Sequence, residues 1–522
     1  MKKNIILGDI YGGITAAVIA LPLALAFGVA SGAGAVAGLY GAIVLGFFAS
    51  LFGGTNTQIS GPTGPMTVVT ASAVTFFSGD YDSVILVVLL AGFFQIIFGV
   101  IKLGRFIKFI PYPVISGFMS GIGLIIIILE INPLVGVDGF GSVISTLSNL
   151  TNTFSHINND AVILALLALT IMFLTPKRIA NIIPPPLLAL IIATLLSELM
   201  HFDVKTVGEI PVKLPEIRLP NIDWQDWHKL EHIFSFAITL ALLGVIDTLL
   251  TSLVADSVTR TKHKPNKELI GQGIGNALTS LIGGLAGAGA TMRTVINIKS
   301  GGKTRLSGMI HAATLLIIIL FLSPIASQIP LAVLAGILVK IGVDIVDYKI
   351  FRVMHKAPKM DMVIMLVVFV LTVFVNLITA VGVGIVLASI LTVYRVTKEL
   401  NIDINEHHNK DIEVANEKMR VVNINGAFFF GSASIFEERI SHALDIDCII
   451  INCLNVPYMD VSAIFVLQEI IVKMHINEIR VVIIAKPRHT CKIQNLIDKN
   501  TLLKVQIYHS FSEFHNSKTN NC

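Results

Sequence analysis

From about residue 10 to residue 396 the chain is a succession of apolar runs, each near the roughly 20 residues that a helix needs to cross a bilayer. Twelve are nearly full length: 10–27, 34–52, 83–101, 112–131, 160–175, 183–199, 233–253, 267–286, 305–323, 331–345, 361–376 and 379–396. Two more, 62–77 and 290–300, are short and interrupted, which makes fourteen segments. Only 14% of the 522 residues are charged, against about 25% in a soluble domain, so most of the chain needs a non-aqueous solvent. Charge returns abruptly near Thr397. The expected organisation is a transmembrane domain over 1–396, a linker over 397–409 and a water-facing domain over 410–522.

The basic residues test the count of segments. Lys102, Arg105 and Lys108 follow the fourth segment, Lys177 and Arg178 the sixth, Arg260 to Lys267 the eighth, and Lys349 to Lys359 the twelfth. All are even loops, whereas the odd loop from Ile131 to Asp160 has no Lys or Arg, and in the odd loop from His201 to Glu231 acids offset them. The positive-inside rule then places both termini in the cytoplasm. A net charge of +4 needs no nucleic-acid partner to explain it. The four cysteines, Cys448, Cys453, Cys491 and Cys522, all lie in the tail. They lack the paired spacing of a zinc site and are expected to be reduced.

The interrupted segments are the third of each set of seven. Around the first the chain reads Ser60-Gly61-Pro62-Thr63-Gly64-Pro65, and before the second Gly287-Ala288-Gly289-Ala290-Thr291-Met292-Arg293. Broken helices at matching positions in two halves point to a transporter's binding site. In halves of opposite orientation, two half-helix N-termini would meet near the midplane and hold an anion on free N–H groups. Taken singly, each motif could equally be a packing face or a kink. Asp247 lies in mid-span, and a carboxylate there is costly and by default functional. With Thr251 one turn on, it forms a candidate site for a hard cation or a proton. Arg293 would attract the anion, or pair with Asp247 or a carbonyl. Glu130 closes the fifth segment and reads as interfacial.

Together the Pro62 to Pro65 stretch, the Asp247 segment and Gly287 to Thr294 resemble the SulP family of anion transporters. The likeness covers nearly the whole chain. It is nearest to cyanobacterial bicarbonate-transporting members, through strings such as Gly12 to Pro22 and Glu268 to Asn276. It implies an α-helical polytopic fold of fourteen segments in a 7+7 inverted repeat, split into core and gate domains, acting as a homodimer by elevator-like motion in the bacterial inner membrane. It also implies sodium bound at Asp247, Thr251, Gly289 and Thr291, and an anion near Thr63, Ala290 and Arg293. The bicarbonate-transporting members have glycine at the Arg293 position. The tail resembles an α/β STAS domain, with strands over 419–425, 448–453 and 480–485 and a helix over 434–443. Its Tyr458 to Ala463 stretch matches the loop that carries a phosphorylatable serine in STAS relatives, here Ser462. By local chemistry Ser462 is otherwise a helix N-cap.

The function expected is secondary transport of a small anion, foremost sodium-dependent bicarbonate symport. Sulfate transport by proton symport or exchange is the alternative, as is an anion-responsive signalling protein without net transport. The chain has no Gly-x-x-x-x-Gly-Lys-Ser/Thr loop and no nucleophile–base constellation, so neither ATP, another cofactor nor an enzymatic activity is expected.

Overall fold

Inside a bilayer every backbone N–H and C=O must find a partner within the chain, and the apolar runs achieve this as helices. The computed structural model describes residues 2–105, 111–139, 142–180, 183–208, 217–221, 226–353, 355–375, 377–398, 401–406, 419–441 and 446–519. Packing divides the chain into two compact units, Met1–Ile385 and Val386–Cys522.

In chain order the first unit contains α1 (Lys2–Ala30), α2 (Ala35–Phe52), the two-residue strand β1 (Ser60–Gly61), α3 (Gly64–Phe76), α4 (Tyr81–Val100) and α5 (Tyr112–Leu129). Then come the short α6 (Ile131–Leu134), α7 (Val143–Ser148) and α8 (Leu150–Ser155), followed by α9 (Asn159–Leu174), α10 (Lys177–Ala180) and α11 (Pro185–Met200). The second half holds α12 (Trp227–Thr259), α13 (Pro265–Ser280), β2 (Ala288–Gly289), α14 (Thr291–Lys299), α15 (Arg305–Ala326), α16 (Leu331–Ile345), α17 (Tyr348–Val353), α18 (Lys359–Phe374) and α19 (Leu377–Lys398). The boundary between the units falls within α19.

Each of the fourteen expected segments falls on one of these helices. Among the described residues, six helices (α1, α2, α4, α5, α12 and α19) are by themselves long and apolar enough to cross a membrane. The two interrupted segments are α3 and α14, of 13 and 9 residues, too short to span. One boundary differs: α13 stops at Ser280 rather than near residue 286, because Gly283 turns the chain at a φ of +66°.

The helices sort into two bundles. α1 to α4 pack with α12 to α15, while α5, α9, α11, α16 and α18 form a second group. Within the first, α13 and α12 lie on α4 just as α2 and α1 lie on α15. Each half thus completes its packing on the other, as two interlocked repeats do. Asp9 of α1 ties the repeats further. It accepts the N–H groups of Lys303 at 2.7 Å and Thr304 at 2.9 Å, and the Thr304 hydroxyl, where the chain enters α15.

The second unit is a five-stranded sheet in the order β3 (Asn401–Glu406), β4 (Met419–Asn425), β5 (Cys448–Asn452), β6 (Arg480–Ile484) and β7 (Val505–Tyr508). β3 is antiparallel to β4, and the other pairs are parallel. Alternation along the strands separates two cores. Val422, Ile449, Ile451, Val481 and Ile483 face one way, and Val421, Cys448, Ile450, Val482 and Ile484 the other. Both faces are covered, which is why β5 and β6 read as unbroken apolar runs. α20 (Phe430–Ser441), α21 (Val461–Ile476) and α22 (Pro487–Leu496) cover the first face. The short α23 (Lys499–Leu502) precedes β7, and Phe514 of α24 (Phe511–Thr519) packs on the second face.

Strand β3 occupies much of the stretch expected to be linker; residues 399–400 and 407–418 lie outside the described residues. α20 begins four residues earlier than the helix expected from residue 434, because Asp460 reaches across to accept the Phe430 N–H at 3.0 Å. Asp460 also accepts the Ala463 N–H at 2.9 Å, so Asp460 and not Ser462 is the N-cap of α21. Ser462 is an exposed residue of the first turn. Replacing Asp460 by Ala removes both bonds and is expected to destabilise this unit by about 1–2 kcal/mol. Hydrogen exchange of the full-length protein should then quicken at the Phe430 and Ala463 amides; unchanged exchange at both would refute the cap. Cys448 and Cys453 are buried, and burial pushes the Cys453 thiol up to about 12, so it packs rather than reacts. Cys491 is exposed, and Cys522 lies outside the described residues.

Candidate functional site

The chain entering α3 and the chain entering α14 are each extended for two residues, and these extensions pair antiparallel: Ser60 with Gly289 and Gly61 with Ala288. The Ala290 N–H adds a bond to Ile59 O at 2.8 Å. α3 and α14 therefore leave the crossing in opposite directions with their N-terminal ends turned towards it. Only glycine allows the backbones so close. A Cβ on Gly287 would stand 2.2 Å from Gly61 O.

Neither half-helix has a side-chain cap: Thr63 before α3 and Ala290 before α14 make no capping bond. The free N–H groups of both first turns, and the positive ends of both dipoles, thus converge on the crossing. Around them stand buried polar atoms with no hydrogen-bond partner, namely Thr63 Oγ1, Asp247 Oδ2 and Arg293 Nη1. Arg293 is only 2% exposed, and its Nη2 donates to Pro62 O, the carbonyl just before Thr63. Asp247 and Arg293 attract each other without a direct ion pair, and it is the carbonyl that anchors the guanidinium.

Of the residues expected to hold a cation, three meet. Thr251 Oγ1 donates to Gly289 O at 2.9 Å and so accepts from Thr291 Oγ1 at 2.6 Å. Asp247 lies one turn earlier on α12. The fold adds Thr248, whose hydroxyl accepts the Gly289 N–H at 3.0 Å and fixes β2 against α12.

Sequence reasoning missed the support beneath the crossing. Glu268 of α13, 1% exposed, accepts four bonds: the N–H groups of Gly54 and Thr55, both at 2.7 Å, and the side-chain amides of Gln58 and Gln272, both at 2.9 Å. Gln272 also donates to Ser60 Oγ at 2.5 Å, and Asn276 holds Gly287 by both its N–H and its C=O at 3.0 Å. A signal was present, because Glu268, Gln272 and Asn276 follow at i, i+4 and i+8 and so form one polar stripe on an otherwise apolar segment. The pair Lys340–Asp344 at 2.5 Å on α16 was likewise readable from its i,i+4 spacing. Glu130, which closes the fifth segment, is only 5% exposed.

The family model of the sulfate permease family matches residues 6–368, which hold both half-helices and every residue of the crossing. The chain belongs to the sulfate permease family. Residues 409–509 match the STAS domain. The chain is 44% identical over 484 residues to the bicarbonate transporter BicA of Synechocystis sp., covering 89% of this chain and 85% of that protein. It is 32% identical to YvdB, a putative sulfate transporter of Bacillus subtilis, with 85% of each covered. Among solved structures, the transmembrane domain of a cyanobacterial bicarbonate transporter BicA superposes with a TM-score of 0.68 at 50% identity, covering 72% of this chain and 97% of that one. As a family member the protein is an integral membrane anion transporter with a C-terminal STAS domain.

Proposed function

We propose that this family member carries bicarbonate inward together with sodium, as a homodimer in a bacterial plasma membrane with both termini in the cytoplasm. One observation carries the reading: an oxygen-only donor set lies beside two converging half-helix N-termini. Asp247, the hydroxyls of Thr251 and Thr291 and the carbonyl of Gly289 suit a hard cation such as sodium. The uncapped N–H groups with Thr63 and Ala290 suit a small oxyanion. The 44% identity to a bicarbonate transporter supports the choice of anion. The lysine and arginine bias of the even loops supports the orientation. Ser462, exposed on α21, is the candidate regulatory phosphosite.

Arg293 favours a second reading, sulfate. A buried guanidinium with Nη1 unbonded adds a full positive charge to the site, which a dianion would use better than a monoanion. Uptake of labelled bicarbonate and labelled sulfate into proteoliposomes, each with and without sodium, decides between them. Sodium-stimulated bicarbonate uptake is expected. Sulfate flux alone would favour the second reading, and no flux of either would leave a protein that binds anions without carrying them.

Arg293→Gly tests the charge balance. With Arg293 present, the charges of Asp247, one sodium and one bicarbonate cancel; without it one negative charge is left over. The variant is expected to raise the KM for anion about tenfold, the worth of one charged hydrogen bond, and to make uptake more dependent on sodium. Unaltered KM and unaltered sodium dependence would place Arg293 outside the site.

A further inference from the structure

A cavity of about 340 Å³ lies between the two bundles, and none of its lining belongs to the crossing. One wall is the ends of α1 and α3, at Ala30 and Thr75, and the other includes Glu130 after α5, Ala161 of α9 and Leu331 of α16. Glu130 is 5% exposed, and its carboxylate makes no hydrogen bond or ion pair with any described residue. The other charged groups on the cavity, Asp138 and Lys205, neutralise each other at 2.7 Å and are largely exposed. Glu130 is thus one uncompensated acid facing a space that admits a small ion with its water. A buried carboxylate without a partner is costly.

We propose that Glu130 is the carboxylate of a second small-cation site, which takes up an alkali ion or a proton in the seam between the bundles, apart from Asp247. Its walls belong to different bundles, so any sliding of one bundle on the other reshapes the site. Cation occupancy and that movement are therefore linked. The linkage rests on the transport reading; the binding itself does not.

The test uses the full-length protein in detergent. In the Asp247→Asn variant, replacing choline chloride by sodium chloride at fixed pH, or lowering pH at fixed salt, is expected to raise Tm. The rise should exceed that of Asp247→Asn with Glu130→Gln by about 2 °C or more. The salt arm identifies an alkali ion and the pH arm a proton. Equal responses of the two proteins in both arms overturn the site. Wild-type protein gives a check that needs no substitution: a hydrophobic carbodiimide should modify Glu130, located by mass spectrometry, and sodium or higher pH should suppress the modification. Modification indifferent to both overturns the proposal. Neither readout needs anion flux, so a failure of the transport reading would show as absent uptake with cation binding intact.

Discussion

Asp247→Asn is expected to abolish sodium-stimulated uptake, a fall of about 100-fold or more at limiting sodium, while the protein stays folded and inserted. Two observations separate these effects. Asp247 Oδ2 is buried and unbonded, so replacing it by an amide breaks no hydrogen bond of that oxygen. The amide can in turn donate to Thr63 Oγ1, which also lacks a partner. What disappears is the only full negative charge in the proposed cation set, and a charge lost from a desolvated site is worth on the order of 3 kcal/mol, or two powers of ten. Uptake into proteoliposomes across a sodium titration, with gel filtration as the check on folding, measures both. Wild-type uptake with the same sodium dependence would remove Asp247 from the coupling site.

Glu268→Ala should act through the fold. It strands four donors at once, the Gly54 and Thr55 amides and the side chains of Gln58 and Gln272. Each stranded donor costs roughly 1–3 kcal/mol. Since Gln272 also holds Ser60, the register of β1 on β2 should loosen with it. The expected result is a large loss of monodisperse protein and a lowered Tm, whereas Asp247→Asn keeps both. Glu268→Gln should fall between, since it keeps one oxygen but turns a donor towards a donor. A Glu268→Ala protein with wild-type Tm would show that the crossing is held by other contacts.

The helices were legible because bilayer thickness sets their length and apolarity marks their course. The two half-helices were legible for the opposite reason, since Gly-Pro repeats and a run of small residues interrupt that pattern. Thr251, Gly289 and Thr291 meet as the family likeness implied, whereas the β1–β2 pairing could not be read. Two residues of strand carry no periodicity, and their partner lies more than two hundred positions away. Asp9 and Glu268 escaped attention because single acids near segment ends look like solvated termini until the fold brings N–H groups to them. The burial of Glu130 was hidden on the same ground. Glu130 follows α5 and faces a cavity that α6, α9 and α16 also line. Ser462 was misread as a cap because the cap position lies two residues earlier, where Asp460 accepts the Ala463 amide.

The antiparallel pair that joins α3 to α14 bears on thermodynamics as well as geometry. It clasps the two half-helices through backbone bonds and glycine contacts. In the transport cycle proposed above, recognition chemistry held this way would move as one piece and present the same groups to either side of the bilayer. Under the transport reading proposed above, the order of preference among anions then has no sidedness. Reversing the driving gradient in sealed vesicles would run the same machine backwards with the same order of preference among anions.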